Sequence, residues 1–410
     1  MKPFVACCLL VVVHAIAAHA QSAPVRAFTG LTLIDGTDRA PITNATIVVQ
    51  DGRVVRVGPA SSVTIPPEAE RVPLDGKFVI PGLINAHGHV NTPRDLATYA
   101  AYGVTTVVSL GGDQPPVFAA RAEQNTASLA RARVFVAGPV LTPTTPDEAR
   151  TQVAGVAGQK VDIVKIRVDD NLGTTQKMTP EVYKAVIDEA HKRGLRVAAH
   201  LFYLADAKEL LRSKVDFIAH SVRDAEVDAE FVSALKASGI CYCPTLMREV
   251  STFVYESTPD FFADPLFVKH ANQEWVANAK DPARQQAVRN SASAQRYKVA
   301  LEVASRNVKR LADAGVPIAM GTDTGPAGRF QGYFELMELE LMAKAGLTPR
   351  QVLAASTRDA ARCMKMDASL GTLERGKWAD FVVLDADPLA SISNVRRIAS
   401  VWIAGNQVAR

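Results

Sequence analysis

The chain has 410 residues, 48% of them hydrophobic and 21% charged, which is enough for a large domain with a substantial core and a smaller one beside it. A formal charge of only +4, with no basic cluster interleaved with aromatics, excludes nucleic acid as a partner and gives no electrostatic reason to dwell at a membrane surface. Internal repeats and low-complexity tracts are absent.

At the N-terminus, Met1-Lys2 is followed by the apolar run FVACCLLVVVHAIA and by AHA before Gln21. This is the pattern of a secretory signal peptide, residues 1–20, cleaved after Ala20. The run falls short of the roughly 20 apolar residues of a membrane span, so the expected location is periplasmic or secreted, with no stable membrane anchor. Without Cys7 and Cys8 of the leader, Cys241, Cys243 and Cys363 remain, an odd number. Cys241 and Cys243 are poorly placed to bridge each other, and all three are read as small core residues.

From Val25 to about Pro73, β-rich runs such as TLIDG and ATIVVQDGRVVRVG are punctuated by Asp-Gly turns, the signature of hairpins. The C-terminal stretches GTLERGKWADFVVLDADPL and RRIASVWIAGNQVA read the same way. Neither end can bury much alone, so residues 21–76 and 368–410 are expected to combine into one composite β-sandwich. Between them, over residues 77–367, eight apolar runs alternate with helical patterns: FVIPGLINAH, GVTTVVSLGG, ARVFVAGPVLT, VDIVKIRVDD, LRVAAHLF, DFIAHS, ICYCPTL and VPIAMGTDTG. A helix such as TPEVYKAVIDEAHKRG, with its Thr-Pro start and Gly stop, fits between them. The expected class is α/β, a (β/α)8 barrel of the TIM type, with an open doubly wound sheet as the alternative. Barrels carry their chemistry at the C-terminal ends of the strands.

Those ends are where the histidines fall. Of eight histidines, His14 and His19 belong to the leader, and His87, His89, His200 and His220 each close an apolar run. His87 and His89 are two apart on a strand and therefore point the same way, able to share one cation. His191, in a helix, and His270, in a long polar connection, read as surface histidines. Asp323 closes the eighth run, where a carboxylate is costly unless it is paired, bound to metal or capping a helix. Lys165 shares a strand face with Ile163 and Arg167. Facing inward, its ammonium would repel the cations the histidines gather, a conflict that carbamylation by carbon dioxide removes; facing outward, it would snorkel between helices.

Taken in this order, VIPGLINAHGHV, VDIVKI, LRVAAH, DFIAHS and IAMGTDTG resemble the amidohydrolase superfamily, in its imidazolonepropionase-like and Xaa-Pro-dipeptidase-like branch. GTLERGKWADFVVLD is similar to that family's closing strands, so the resemblance covers nearly all of the mature chain. It implies a site with two divalent metal ions: His87, His89 and Asp323 on one, His200 and His220 on the other, and carbamylated Lys165 bridging both. Zinc suits such mixed imidazole and carboxylate ligands. The resemblance further implies a metal-bridged hydroxide that attacks an amide-type C–N bond, with Asp323 taking its proton and passing it to the leaving nitrogen. The implied substrate is a small molecule or short peptide: a dipeptide, an N-acyl amino acid or a lactam. Two departures from the family pattern stand out. Phe202 occupies the place of a second strand-five histidine, so a substrate carboxylate would need another partner, with Arg167, Tyr203, Arg223 and Arg248 as candidates. The aromatic-rich connection from Leu246 to about Ser291 either shapes a substrate pocket or packs a dimer interface, leaving a homo-oligomer open. Two other readings are carried: a mononuclear deaminase of a cyclic amidine, and a noncatalytic scaffold.

Overall fold

The β-rich runs from the two ends of the chain build a single sheet. In the computed structural model, which describes residues 24–409, Arg26–Leu33, Ile42–Gln50, Arg53–Pro59, Glu70–Pro73 and Phe78–Pro81 join Phe381–Leu384, Ile398–Ile403 and Asn406–Gln407 as one eight-stranded sheet. The leader expected at 1–20, with Cys7, Cys8, His14 and His19, lies outside the described residues. The two ends of the chain meet where Phe381–Leu384 pairs antiparallel with Phe78–Pro81, placing Val383 opposite Val79. Asp51 and Gly52, at φ 50° and 76°, form the tight turn of the hairpin that pairs Gln50 with Arg53, as their sequence leads one to expect. The sheet curls around a core of its own, in which Phe28 packs edge-on against Phe381 at 4.9 Å and Trp402 at 4.7 Å.

Between these ends runs the (β/α)8 barrel. Leu83–Gly88, Val104–Ser109 and Arg133–Val136 pair in parallel, as do Val164–Arg167, Val197–His200, Phe217–Ala219 and Cys241–Cys243. Of the runs read as single strands, two turn out divided and a third shortened, each for a local reason. FVIPGLINAH splits at Gly82, where a Cβ would stand 2.7 Å from Thr105 Cβ; Phe78–Pro81 stays in the terminal sheet and Leu83–Gly88 enters the barrel. ARVFVAGPVLT breaks at Gly138, φ 71°, after which only Val140–Leu141 pairs with Val164–Arg167. The eighth run shrinks to a bridge between Ile318 and Tyr242, because Pro317 has no N–H to give. Backbone hydrogen bonds still anchor it on both sides, from Ala319 to Tyr242 at 3.0 Å and from Ala86 to Met320 at 2.8 Å.

The cysteines correct the sequence reading. Cys241 and Cys363 form a disulfide across 122 residues, tying the seventh barrel strand to the helix Arg358–Cys363, and among the described residues only Cys243 is a free buried thiol. Spacing along the chain could not reveal a partner so far away. The barrel and the terminal sheet share a buried ion pair, Arg133 Nε to Asp380 Oδ2 at 2.7 Å, over which Trp378 lays its ring 4.2 Å from the guanidinium. Among the described residues, no helix is long and apolar enough to cross a membrane.

Candidate metal centre

Side chains from the C-terminal ends of the first, fourth, fifth, sixth and eighth runs converge at one mouth of the barrel. The strand period carries His87 inward at the end of Leu83–Gly88, and Lys165 inward from Val164–Arg167, where its Nζ lies 3.1 Å from His87 Nε2. The outward-facing alternative for Lys165 is thereby excluded; the side chain is 3% exposed, and burial pushes the ammonium down to about 8 against the pull of Asp323. Asp323 Oδ1 reaches His89 Nε2 at 2.8 Å and His87 Nε2 at 3.4 Å. Its other oxygen receives Arg329. Burial works to raise the Asp323 carboxyl, but Arg329 and the two histidines outweigh it and hold the group well below the usual carboxylate range.

On the opposite side of the cluster, His220 is fully buried, with its Nδ1 2.7 Å from Thr245 Oγ1 and its ring 4.5 Å from that of His87. Thr245 hands this histidine one defined partner, leaving Nε2 buried with no hydrogen-bond partner at all. Burial keeps the His220 and His87 imidazoles well below their ordinary value, so both stay neutral, with a lone pair to offer. One ligand atom from each of His87, His220 and Asp323 lies within 4.8 Å of the other two. Two neutral imidazoles, one carboxylate and an orphaned buried nitrogen suit a divalent cation.

His200 is adjacent but turned aside. Its ring sits 4.1 Å from that of His220, while its Nε2 is engaged by Asp169 Oδ2 at 3.1 Å; burial pushes it down to about 3 although Asp169 pulls it up. The four substrate candidates are scattered among different duties. Arg167 pairs with Asp169 at 2.9 Å and borders a cavity of about 300 Å³ with Asp169, Lys177 and Thr144. Tyr203 donates to Asp170 at 2.8 Å. Arg223 is wholly buried: it donates to the carbonyls of Leu201 and Ser221, which flank His200 and His220, and lies 2.9 Å from Glu249 in an ion pair without hydrogen-bond alignment. Arg248 meets the same carboxylate at 3.1 Å, donates to Tyr297 and stacks over its ring at 4.3 Å. Phe202, in the place expected of a second histidine, lies under the Arg223 guanidinium and beside Tyr297. His191 is exposed and paired with Asp216, away from the cluster.

Asp169, Thr245, Glu249, Arg329 and Glu335 join the site without having been singled out in the sequence. Asp169 alone left a signal, as a carboxylate two residues past Arg167 in the fourth run. A cavity of about 900 Å³ opens at the other end of the barrel beside Arg196, Val215, Ile240 and the disulfide, far from this chemistry.

Comparison with known proteins agrees with the geometry. Ochratoxinase of Aspergillus niger is 25% identical over 281 residues, 66% of this chain and 51% of that one, so the chain spans about half the length of that relative. Imidazolonepropionase of Rhizorhabdus wittichii is 26% identical over 391 residues, 88% of this chain and 93% of that one. Among solved structures, a prolidase-like protein of Bifidobacterium longum superposes with a TM-score of 0.77 at 28% identity, covering 94% of this chain and 95% of its own. A Xaa-Pro dipeptidase with bound methionine in its active site shares the fold, with a TM-score of 0.76 at 19% identity over 94% of this chain and 100% of its own. The model of the amidohydrolase family matches residues 78–408, spanning every barrel strand and the closing strands of the terminal sheet, and the chain belongs to that family.

Proposed function

We propose that the protein is a metal-dependent hydrolase that cleaves an amide-type C–N bond in a small substrate carrying a carboxylate, an N-acyl amino acid or a dipeptide. The observation that carries the reading is a pairing of features at one barrel mouth: a cluster fit for a cation, and beside it two buried guanidiniums sharing one carboxylate. Arg223 and Arg248 share Glu249 as their one carboxylate within ion-pair distance, and Arg223 Nη2 and Arg248 Nε have no hydrogen-bond partner. A buried excess of one positive charge with idle donors calls for an anion. The relatives support the same class: one is an ochratoxinase, and a Xaa-Pro dipeptidase of the same fold holds methionine in its active site.

His87, His89 and Asp323 would hold one divalent ion and His220 a second, zinc being the favoured species for these ligands, with His200 joining the second once released from Asp169 and Lys165 serving as a further ligand as its carbamate. Bound there, the ions would polarise the scissile carbonyl and acidify water. Asp323, ionised across the working pH range, accepts the proton of the attacking water at its carboxylate and returns it to the leaving nitrogen. The arginine pair orients the substrate by its carboxylate, and Phe202 and Tyr297 pack beside it and exclude water. Export to an oxidising compartment is part of this reading, in keeping with the Cys241–Cys363 bridge.

The test is a panel of N-acyl amino acids and dipeptides, each measured against its C-terminal amide, together with a lactam and a cyclic amidine. The acids should be hydrolysed with kcat/KM at least about tenfold above their amides, the weight of a charge-assisted hydrogen bond of about 1.5–3 kcal/mol. Arg248→Met should narrow that gap. Equal turnover of acid and amide, or ammonia released from the amidine alone, would contradict the reading.

A further inference from the structure

A carboxylate that no part of the reaction uses lies beneath the cluster. Glu335, in the helix Tyr333–Lys344 that follows the eighth run, is fully buried, and its Oε1 collects three donors: Asn85 Nδ2 at 2.6 Å, Thr322 Oγ1 at 2.7 Å and Thr324 Oγ1 at 2.5 Å. These three donors come from both arms of the centre. Asn85 lies on the first barrel strand, and its Oδ1 accepts the His87 backbone N–H at 2.9 Å. Thr322 and Thr324 flank Asp323. Tyr99 closes the ring, 2.9 Å from Thr324 Oγ1 and donating to the His89 carbonyl at 3.0 Å.

Asp323 is what this arrangement restrains. Its backbone stands at φ 59°, a left-handed conformation that is strained for a residue with a Cβ and persists only when the surroundings over-determine it. The neighbours supply that constraint: the N–H groups of Thr322 and Asp323 both donate to the His87 carbonyl, at 3.0 and 2.6 Å, while the hydroxyls on either side are fixed to Glu335. Turned this way, the Asp323 carboxylate meets His87 and His89.

We propose that Glu335 is the positioning residue of the centre, a single buried acceptor that locks the His87–His89 arm and the strained Asp323 turn into one geometry competent to bind a cation. The inference rests on the metal-dependent reading above. Outer partners of this kind set ligand orientation, and their loss costs 10- to 100-fold in metal affinity.

The experiment is zinc affinity by chelator competition on the purified chain, with circular dichroism of each variant and kcat and KM on the best substrate. Glu335→Gln keeps an acceptor oxygen in place and should bind zinc within about threefold of wild type. Glu335→Ala should fall by about 10- to 100-fold, with kcat reduced and KM little changed, because the arginine pair is untouched. Thr324→Val, which keeps shape and removes one donor, should lose affinity in the same direction, and it stands in if Glu335→Ala fails to fold. Wild-type zinc affinity in folded Glu335→Ala, or in Thr324→Val, overturns the role of Glu335 while leaving the metal reading intact. A wild-type chain that binds no zinc overturns both.

Discussion

Gly321 shows how little room the centre leaves. A Cβ at that position would overlap Cys243 Sγ and stand 2.8 Å from His87 Cβ, both parts of the packed barrel mouth. Gly321→Ala should therefore push the eighth run away from the first, lowering stability by about 1–3 kcal/mol and weakening zinc binding through His87. Thermal melting with and without zinc measures both, and a variant indistinguishable from wild type in each would contradict the packing described. At this scale the sequence was most legible where the chemistry of a residue type is unusual for its place. Histidines closing apolar strands, a lysine inside such a strand and an aspartate at the end of the eighth run announce themselves, and the structure brings His87, His89, Lys165, His220 and Asp323 together, with His200 one ring away. Glu335, Thr245 and Arg329 were not legible, because a glutamate in a helix or a threonine in a turn is ordinary until a partner far along the chain gives it a task. Phe202 marks the boundary between the two cases: its departure from the family pattern was visible, while its position under Arg223 was not.

Among the elements, the periodicity announced the strands well and their ends poorly. Apolar runs do not reveal where glycine lets one strand pass another, as at Gly82, or where a proline such as Pro317 empties a ladder position. The disulfide escaped for a related reason, since it joins a barrel strand to a helix 122 residues later. Closing so long a loop restricts the unfolded chain, and by that argument the bridge is worth about 2–5 kcal/mol. Cys363→Ser should show that loss in urea unfolding, as should wild-type protein unfolded under reducing conditions. Unchanged stability in both would contradict a formed bridge. The helix Tyr333–Lys344 illustrates how one element can serve two parts of a site. Glu335 holds the turn around Asp323, and one helical turn later Glu338 accepts the N–H groups of Leu246 and Met247 at 2.8 and 2.6 Å, just past the Thr245 that orients His220.

For the molecule as a whole, the terminal sheet and barrel behave as one body. A strand from each end of the chain lies side by side, and the buried Arg133–Asp380 pair locks the sheet to the third barrel strand. This union leaves the first barrel strand continuous with the sheet through Phe78–Pro81, so the histidine-bearing end of Leu83–Gly88 is anchored from both directions. The α/β class and the joining of the termini followed from the order of runs along the chain, because short βα repeats and hairpin-rich ends have few ways to bury their apolar faces. Function depends on whether that scaffold holds metal as the clustered ligands indicate. Elemental mass spectrometry of the purified chain, prepared with zinc and bicarbonate beside Lys165→Ala, decides it. The account predicts two zinc ions per wild-type chain and a sharp fall in the variant; one ion or none, unchanged by the substitution, would contradict a lysine-bridged centre.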